Sequence, residues 1–91
     1  MAQAQWFMGG TLHDATAGQW VQASADNRLA TAGDWTARLI GSDRAMQLGP
    51  DGVRPLAQQL ETCITRSAPQ SSSNARADEI AAACATAIGM R

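Results

Sequence analysis

Two cysteines, Cys63 and Cys84, flank the polar run "PQSSSN" at 69–74, and they limit the folds open to this chain more than any other feature. Each lies on an apolar stripe of helical period. Before the run the stripe is Val53, Leu56, Leu60, Cys63 and Ile64; after it come Ile80, Cys84, Ala87 and Ile88. Two helices joined by a short connector pack antiparallel with their apolar stripes facing. Cys63 then sits about 6 Å short of its helix end and Cys84 about 15 Å past its helix start, at about 1.5 Å per residue. The connector, which reaches about 20 Å when extended, can absorb that offset. The spacing therefore predicts a Cys63–Cys84 disulfide across a helical hairpin.

Other uses of the two sulfurs fit less well. A structural zinc site needs four Cys or His ligands, and the chain offers two cysteines and one histidine, His13. A thioredoxin-like redox pair needs a C-x-x-C turn, which the sequence lacks. The remaining alternative is a pair of reduced, buried thiols acting as small apolar groups.

Composition favours the staple. Only 13 of the 91 residues are Leu, Ile, Val or Phe, below the roughly 20% that marks a well-supplied core. Such poverty signals disorder only together with a high net charge, and the formal charge here is −1. Trp6, Trp20 and Trp35 restore apolar area, about 150–250 Å² each when buried. A domain this small with so thin a core generally needs a staple or a partner, and closing a loop of this length contributes about 3 kcal/mol.

The pattern along the chain predicts one all-α domain, a small bundle of three to four helices ending in the stapled hairpin. Residues 1–10 read as an N-terminal tail or arm, closed by Gly9 and Gly10. Thr11 is a candidate N-cap, with Asp14 three residues on. The stripe Ala17, Val21, Ala25, Leu29, Ala32, Thr36, Leu39 and Ile40 makes 11–40 either one long helix or two, with Ser24 and Asp26 as capping residues at a break. Residues 41–52, with three glycines, a proline and three charges, read as a loop. A helix over 53–67 follows, with Pro55 in its first turn. Residues 68–74 read as a linker, and a helix over 75–88 is capped by Ser73 or Asn74 at its start and Gly89 at its end.

Two surfaces stand out. Ala77, Ala81, Ala85 and Gly89 recur every fourth residue, forming a shallow groove that would let a backbone approach closely. The candidate neighbour is a second copy, or this chain's own long helix, where Gly18 and Gly33 offer matching small sites. Trp6 and Phe7 form a candidate apolar anchor for a partner, or fold back on the helices.

Chemistry-bearing motifs do not appear. His13 adjoins Asp14, but adjacent residues on a helix do not face each other. No catalytic residue, cofactor-binding residue or metal ligand is assigned, no cofactor is implied, and an enzyme is not expected. The seven arginines are dispersed and lysine is absent, so no focused basic patch speaks for nucleic acid. No apolar run approaches the roughly 18 residues of a membrane-spanning helix. The segment Ala2-Gln3-Ala4 has the small-x-small form of a signal-peptide cleavage site. With a disulfide, which persists in oxidising compartments, it points to a periplasmic or secreted protein from which a signal peptide has been removed. The expectation is an exported helical protein that binds a protein partner by its surface, such as an immunity-, inhibitor- or chaperone-like domain. The alternative is a structural component that self-associates through the small-residue row.

Overall fold

A computed structural model describes residues 5–90, and helices account for most of them. They are α1 (Ala17–Gln22), α2 (Ala25–Ile40), α3 (Ser42–Ser67), a 3-10 turn (Ala68–Gln70) and α4 (Ala77–Ile88). Among the described residues there is no strand, only an isolated antiparallel bridge between Thr16 and Arg76. The architecture is an all-α, disulfide-stapled bundle: α2 packs along α3, α4 packs on α3, and the short α1 rests on the 3-10 turn.

Capping explains where the first helices start. Thr16, not Thr11, caps α1: its hydroxyl accepts from Gln19 N–H at 3.1 Å, while Gln19 Oε1 accepts from Thr16 N–H at 2.9 Å. This is a reciprocal capping box. Thr11 is engaged elsewhere, as described below. Residues 17–40 form two helices, because Ser24 is extended and accepts from Asn27 N–H at 3.1 Å, opening α2 afresh.

The stretch 41–52, expected as a loop, is helical from Ser42 onward. Its glycines act at separate places and do not make one flexible run. Gly41, at φ 92°, ends α2, and Gly49, at φ 68° and ψ 173°, kinks α3. Both conformations are ones that L side chains rarely adopt. Pro50 follows the kink as the first residue of the second helical piece, where a missing N–H does no harm. Pro55 consequently lies inside the helix rather than in its first turn, and the carbonyl four residues back, on Asp51, loses its helical donor.

The expected cap of α4 by Ser73 or Asn74 is replaced by a tertiary one. Arg76 occupies the cap position without a side-chain hydrogen bond. Ala77 N–H instead donates to Ala15 O at 2.9 Å, while Ala17 and Gly18 N–H donate to Ala75 O at 2.7 Å and Ser73 O at 3.1 Å. The starts of α1 and α4 thus satisfy each other's unpaired donors. Of the expected linker 68–74, Ala68–Gln70 form the 3-10 turn; the connector 71–76 runs across the start of α1, and a Cβ on Gly18 would come within 3.3 Å of Ser73 O. The C-terminal end of α4 follows expectation. Gly89 is left-handed, its N–H reaches Thr86 O at 3.2 Å and Met90 N–H reaches Ala85 O at 2.8 Å, the paired bonds of a Schellman cap.

The core centres on Trp20 and Trp35, stacked with ring centroids 5.6 Å apart and planes 13° from parallel. Leu12, Leu60, Ile64 and a group of alanines surround them. Trp20 is wholly buried, and its Nε1–H donates to Thr65 Oγ1 at 3.1 Å. The Thr65 hydroxyl donates to Glu61, which also receives Arg28 Nε–H at 3.2 Å. Among the described residues, no fully buried side-chain atom of that network lacks a partner.

Cys63 on α3 and Cys84 on α4 form a disulfide, with Cα atoms 5.9 Å apart. In the chain-entropy account its closure of a loop of this length contributes about 3 kcal/mol. Urea denaturation of the Cys63→Ala/Cys84→Ala protein should therefore show a stability loss of about that size, with the midpoint shifted down. A variant as stable as the parent would mean that packing alone holds the hairpin.

Candidate functional site

The N-terminal segment is a folded part of the protein, held by a polar stripe on α2. Asn27, Thr31 and Asp34 lie at helical spacings of four and three, so they share one face. Against them lie three consecutive residues of the incoming chain. Thr11 N–H donates to Asn27 Oδ1 at 2.9 Å, and Asn27 Nδ2–H donates to Thr11 Oγ1 at 2.8 Å. Leu12 N–H donates to Thr31 Oγ1 at 3.2 Å. His13 Nε2 lies 2.8 Å from Asp34 Oδ2. Leu12 itself turns into the core. Gly10 is a required glycine, since a Cβ there would approach Thr31 N within 2.7 Å.

His13 therefore pairs with Asp34 on α2 and not with its neighbour Asp14, and its ring meets the edge of Trp35 at 6.1 Å. Among the described residues no group of three or more His, Cys, Asp or Glu side chains is placed to hold a metal. The histidine acts as a pin between the N-terminal segment and α2. Near the start of α4, bidentate hydrogen bonds from Arg76 hold the Asp78 carboxyl below its ordinary range. A depressed carboxyl contributes stability above its unfolded pKa and loses it as pH falls through the folded one. That stabilisation therefore fades only at acid pH, below the usual carboxylate range.

Upstream of Gly10 the arm is held differently. Trp6 lies over α2 at Gly33, where a Cβ would come within 2.6 Å of the indole ring. The missing side chain makes a notch that the ring fills. Phe7 meets Trp6 edge-on at 5.7 Å, and the Arg54 guanidinium stands 6.0 Å from the Trp6 ring. Both aromatic residues are half-buried, and Trp6 Nε1 is enclosed with no hydrogen-bond partner among the described residues. The candidate anchor thus lies on the helices and not free of them.

Around the arm the surface is concave, apolar on one side and mixed on the other. One groove of about 390 Å³ is lined by Trp6, Phe7, Ala37, Met46, Pro50 and Val53. A larger recess of about 930 Å³ continues past the same two aromatics to Asp26, Asp51 and Arg54. Met46 is 81% exposed and Met8 67% exposed. Asp26 and Asp51 are exposed and, among the described residues, form no ion pair.

The small-residue row has another place. Ala77, Ala81 and Ala85 are buried at 0%, 3% and 0% exposure, in the core cluster with Leu60, Ile64 and Cys84. They meet this chain's own core, as a close-contact row would, and Gly89 is the exposed cap of α4. Gly18 and Gly33 do not meet α4, since Gly18 faces Ser73 and Gly33 faces Trp6. The α2 stripe was missed by reading apolar spacing alone. The available signal was Asn27, Thr31 and Asp34 on one helical face, with polar Thr11 and His13 flanking Leu12 upstream.

No protein-family model, curated protein or solved structure matches this chain.

Two substitutions check this geometry. Asn27→Ala removes both hydrogen bonds to Thr11 and should cost about 1–3 kcal/mol, with faster amide exchange at 11–13; unchanged exchange would show that the segment is held by other means. Ala81→Leu overpacks a filled site and should cost about 1–3 kcal/mol. Its loss should be the same at every protein concentration, and a concentration-dependent loss would mean that a second copy shares the contact.

Proposed function

We propose that this chain is a small exported helical protein, periplasmic or secreted, that binds a protein partner through the surface around Trp6, Phe7 and Met46. The observation that carries this reading is where the chain leaves its scarce large apolar side chains. With only 13 Leu, Ile, Val or Phe residues in the sequence, it still leaves Met46, Met8, Val21 and Leu48 exposed, and the two most exposed of these, Met46 and Met8, line concavities that Trp6 and Phe7 share. Aromatic residues and methionine are enriched at the centres of protein interfaces, and clustered exposed apolar groups mark interaction sites. An immunity-, inhibitor- or chaperone-like role belongs to this class. The reading is non-catalytic. No helix of the described residues is long and apolar enough to cross a membrane.

Export is supported by the Cys63–Cys84 pair, because structural disulfides persist where the compartment is oxidising. The cleavage-like Ala2-Gln3-Ala4 lies outside the described residues.

Photo-crosslinking in the native cells tests the surface. A photoreactive residue at Met46 should yield a discrete protein adduct, and one at the exposed Glu79 on α4 should not. Equal labelling at both positions, or none at Met46, would sink the reading. Acid-quenched alkylation of the same cells should leave Cys63 and Cys84 unmodified, and labelling of both would place the protein in a reducing compartment.

A further inference from the structure

The arm and its seat are mismatched. Trp6 fills the notch at Gly33, yet its Nε1–H is enclosed without a partner among the described residues, and a buried donor left unpaired is destabilising. Among the described residues, the only backbone hydrogen bond within 5–9 is internal, from Met8 N–H to Gln5 O at 3.0 Å. The first bonds to the body are at Thr11. Gly9, at φ 88° with open space around its Cα, is a natural hinge between the pinned segment and the arm. Ring packing, with Arg54 beside it, is what seats residues 5–9.

The seat also carries charge that the arm does not answer. Asp26 and Asp51 border the larger concavity beside one cation, Arg54, while Asp34, at the edge of the smaller, is already taken by His13. Residues 5–9 read Gln-Trp-Phe-Met-Gly and have no charged side chain. Asp26 stands in the first turn of α2 and Asp51 just past the Gly49 kink of α3, which places both carboxylates, exposed, at the rim. The groove thus combines an aromatic-sized notch in α2, apolar walls from Ala37 and Val53, and a rim of excess negative charge.

We propose that the Trp6–Phe7 arm is a displaceable plug, and that its seat is a docking groove for an extended segment of a partner protein carrying an aromatic residue flanked by Lys or Arg. This rests on the interaction reading above and specifies the partner's chemistry. A phenyl ring in the notch brings no N–H donor to a place where none is paired. Flanking cations meet Asp26 and Asp51, which the arm leaves unanswered. The arm is then an intramolecular competitor that lowers apparent affinity by the fraction of time it occupies the notch.

The test uses the full chain, 15N-labelled, with three blocked synthetic peptides: Gly-Lys-Phe-Lys-Gly, the same with Glu for Lys, and the same with Ala for Phe. The Lys-Phe-Lys peptide should shift the amides of Gly33, Ala37 and Val53. It should bind Trp6→Ala about tenfold more tightly than the parent, because the competitor is gone. Its affinity should fall several-fold between roughly 50 and 300 mM salt, as exposed charge pairs are screened. The Glu and Ala peptides should bind about tenfold more weakly than the Lys-Phe-Lys peptide, the size of effect that about 1.4 kcal/mol produces. Gly33→Leu in the Trp6→Ala background, checked for a native spectrum, should abolish binding by filling the notch. Equal affinity of parent and Trp6→Ala, equal binding of the Lys and Glu peptides, or no binding by any peptide overturns the proposal. A specific adduct at Met46 together with any of these results overturns the plug alone and leaves the interaction reading standing.

Discussion

The stacked pair of Trp20 and Trp35 is the contact on which the bundle depends. Most other buried apolar positions are alanine, so helices can approach closely but gain little area from each side chain. Two indoles in face contact at 5.6 Å fill the space that the alanines leave. The dependence is clearest for α1, which has six residues, far fewer than the roughly 12–15 at which an isolated helix becomes even marginal in water. It exists because Trp20 is anchored in the core and because the indole N–H finds Thr65. Glu61 and Arg28 complete that chain, and Arg28 also donates to Ala23 O at 2.7 Å. The network thereby ties α3 to the junction between α1 and α2.

A second constraint comes from the starts of α1 and α4. A helix N-terminus presents unpaired donors, and here the segment before each helix supplies acceptors to the other: Ala15 to Ala77, Ala75 to Ala17 and Ser73 to Gly18. This exchange fixes the connector 71–76 against residues 15–18. The offset in height between Cys63 and Cys84 is absorbed there, because the 3-10 turn at Ala68–Gln70 prolongs α3 before the chain crosses to α4. Disulfide and exchanged caps therefore constrain one closed loop at two points, the first by a covalent bond and the second by backbone pairing to α1.

What could be read from the sequence divides along the same line between local and distant causes. The stripe containing Leu60, Cys63 and Ile64, the cysteine pairing and the Gly89 cap rest on spacing within one helix or hairpin, and those signals are written locally. Residues 41–52 misled because three glycines and a proline resemble a loop in composition, whereas Gly41 and Gly49 each impose one backbone conformation at a helix boundary or kink. Thr11 and Thr16 are equally good caps by residue type, and only Asn27, sixteen residues from Thr11, assigns Thr11 to another task. Gly18 and Gly33 were expected to mark close helix crossings. They do mark close approaches, but of a connector and an indole ring, and residue type cannot distinguish these partners.

The candidate site follows from a contrast between two copies of one residue. Trp20 and Trp6 both place an indole against the bundle, but Trp20 is wholly buried with its N–H paired, while Trp6 is half-buried with its N–H enclosed and unpaired. The indole surface favours burial in both cases, at about 25 cal/mol per Å². In Trp6 the unmatched donor takes back much of that gain, and no backbone bond from 5–9 to the body adds to it. Local opening draws on the least stable part of a fold, so the arm should leave its seat well before Trp20 leaves the core. The hinge at Gly9 and the pins at Thr11, Leu12 and His13 set how far such an opening spreads, because the hydrogen bonds to Asn27, Thr31 and Asp34 hold the chain on α2 just beyond it. The fold therefore sets one apolar arm, seated by ring packing, against a stapled body, and two exposed apolar groups, Met8 and Met46, lie beside that arm.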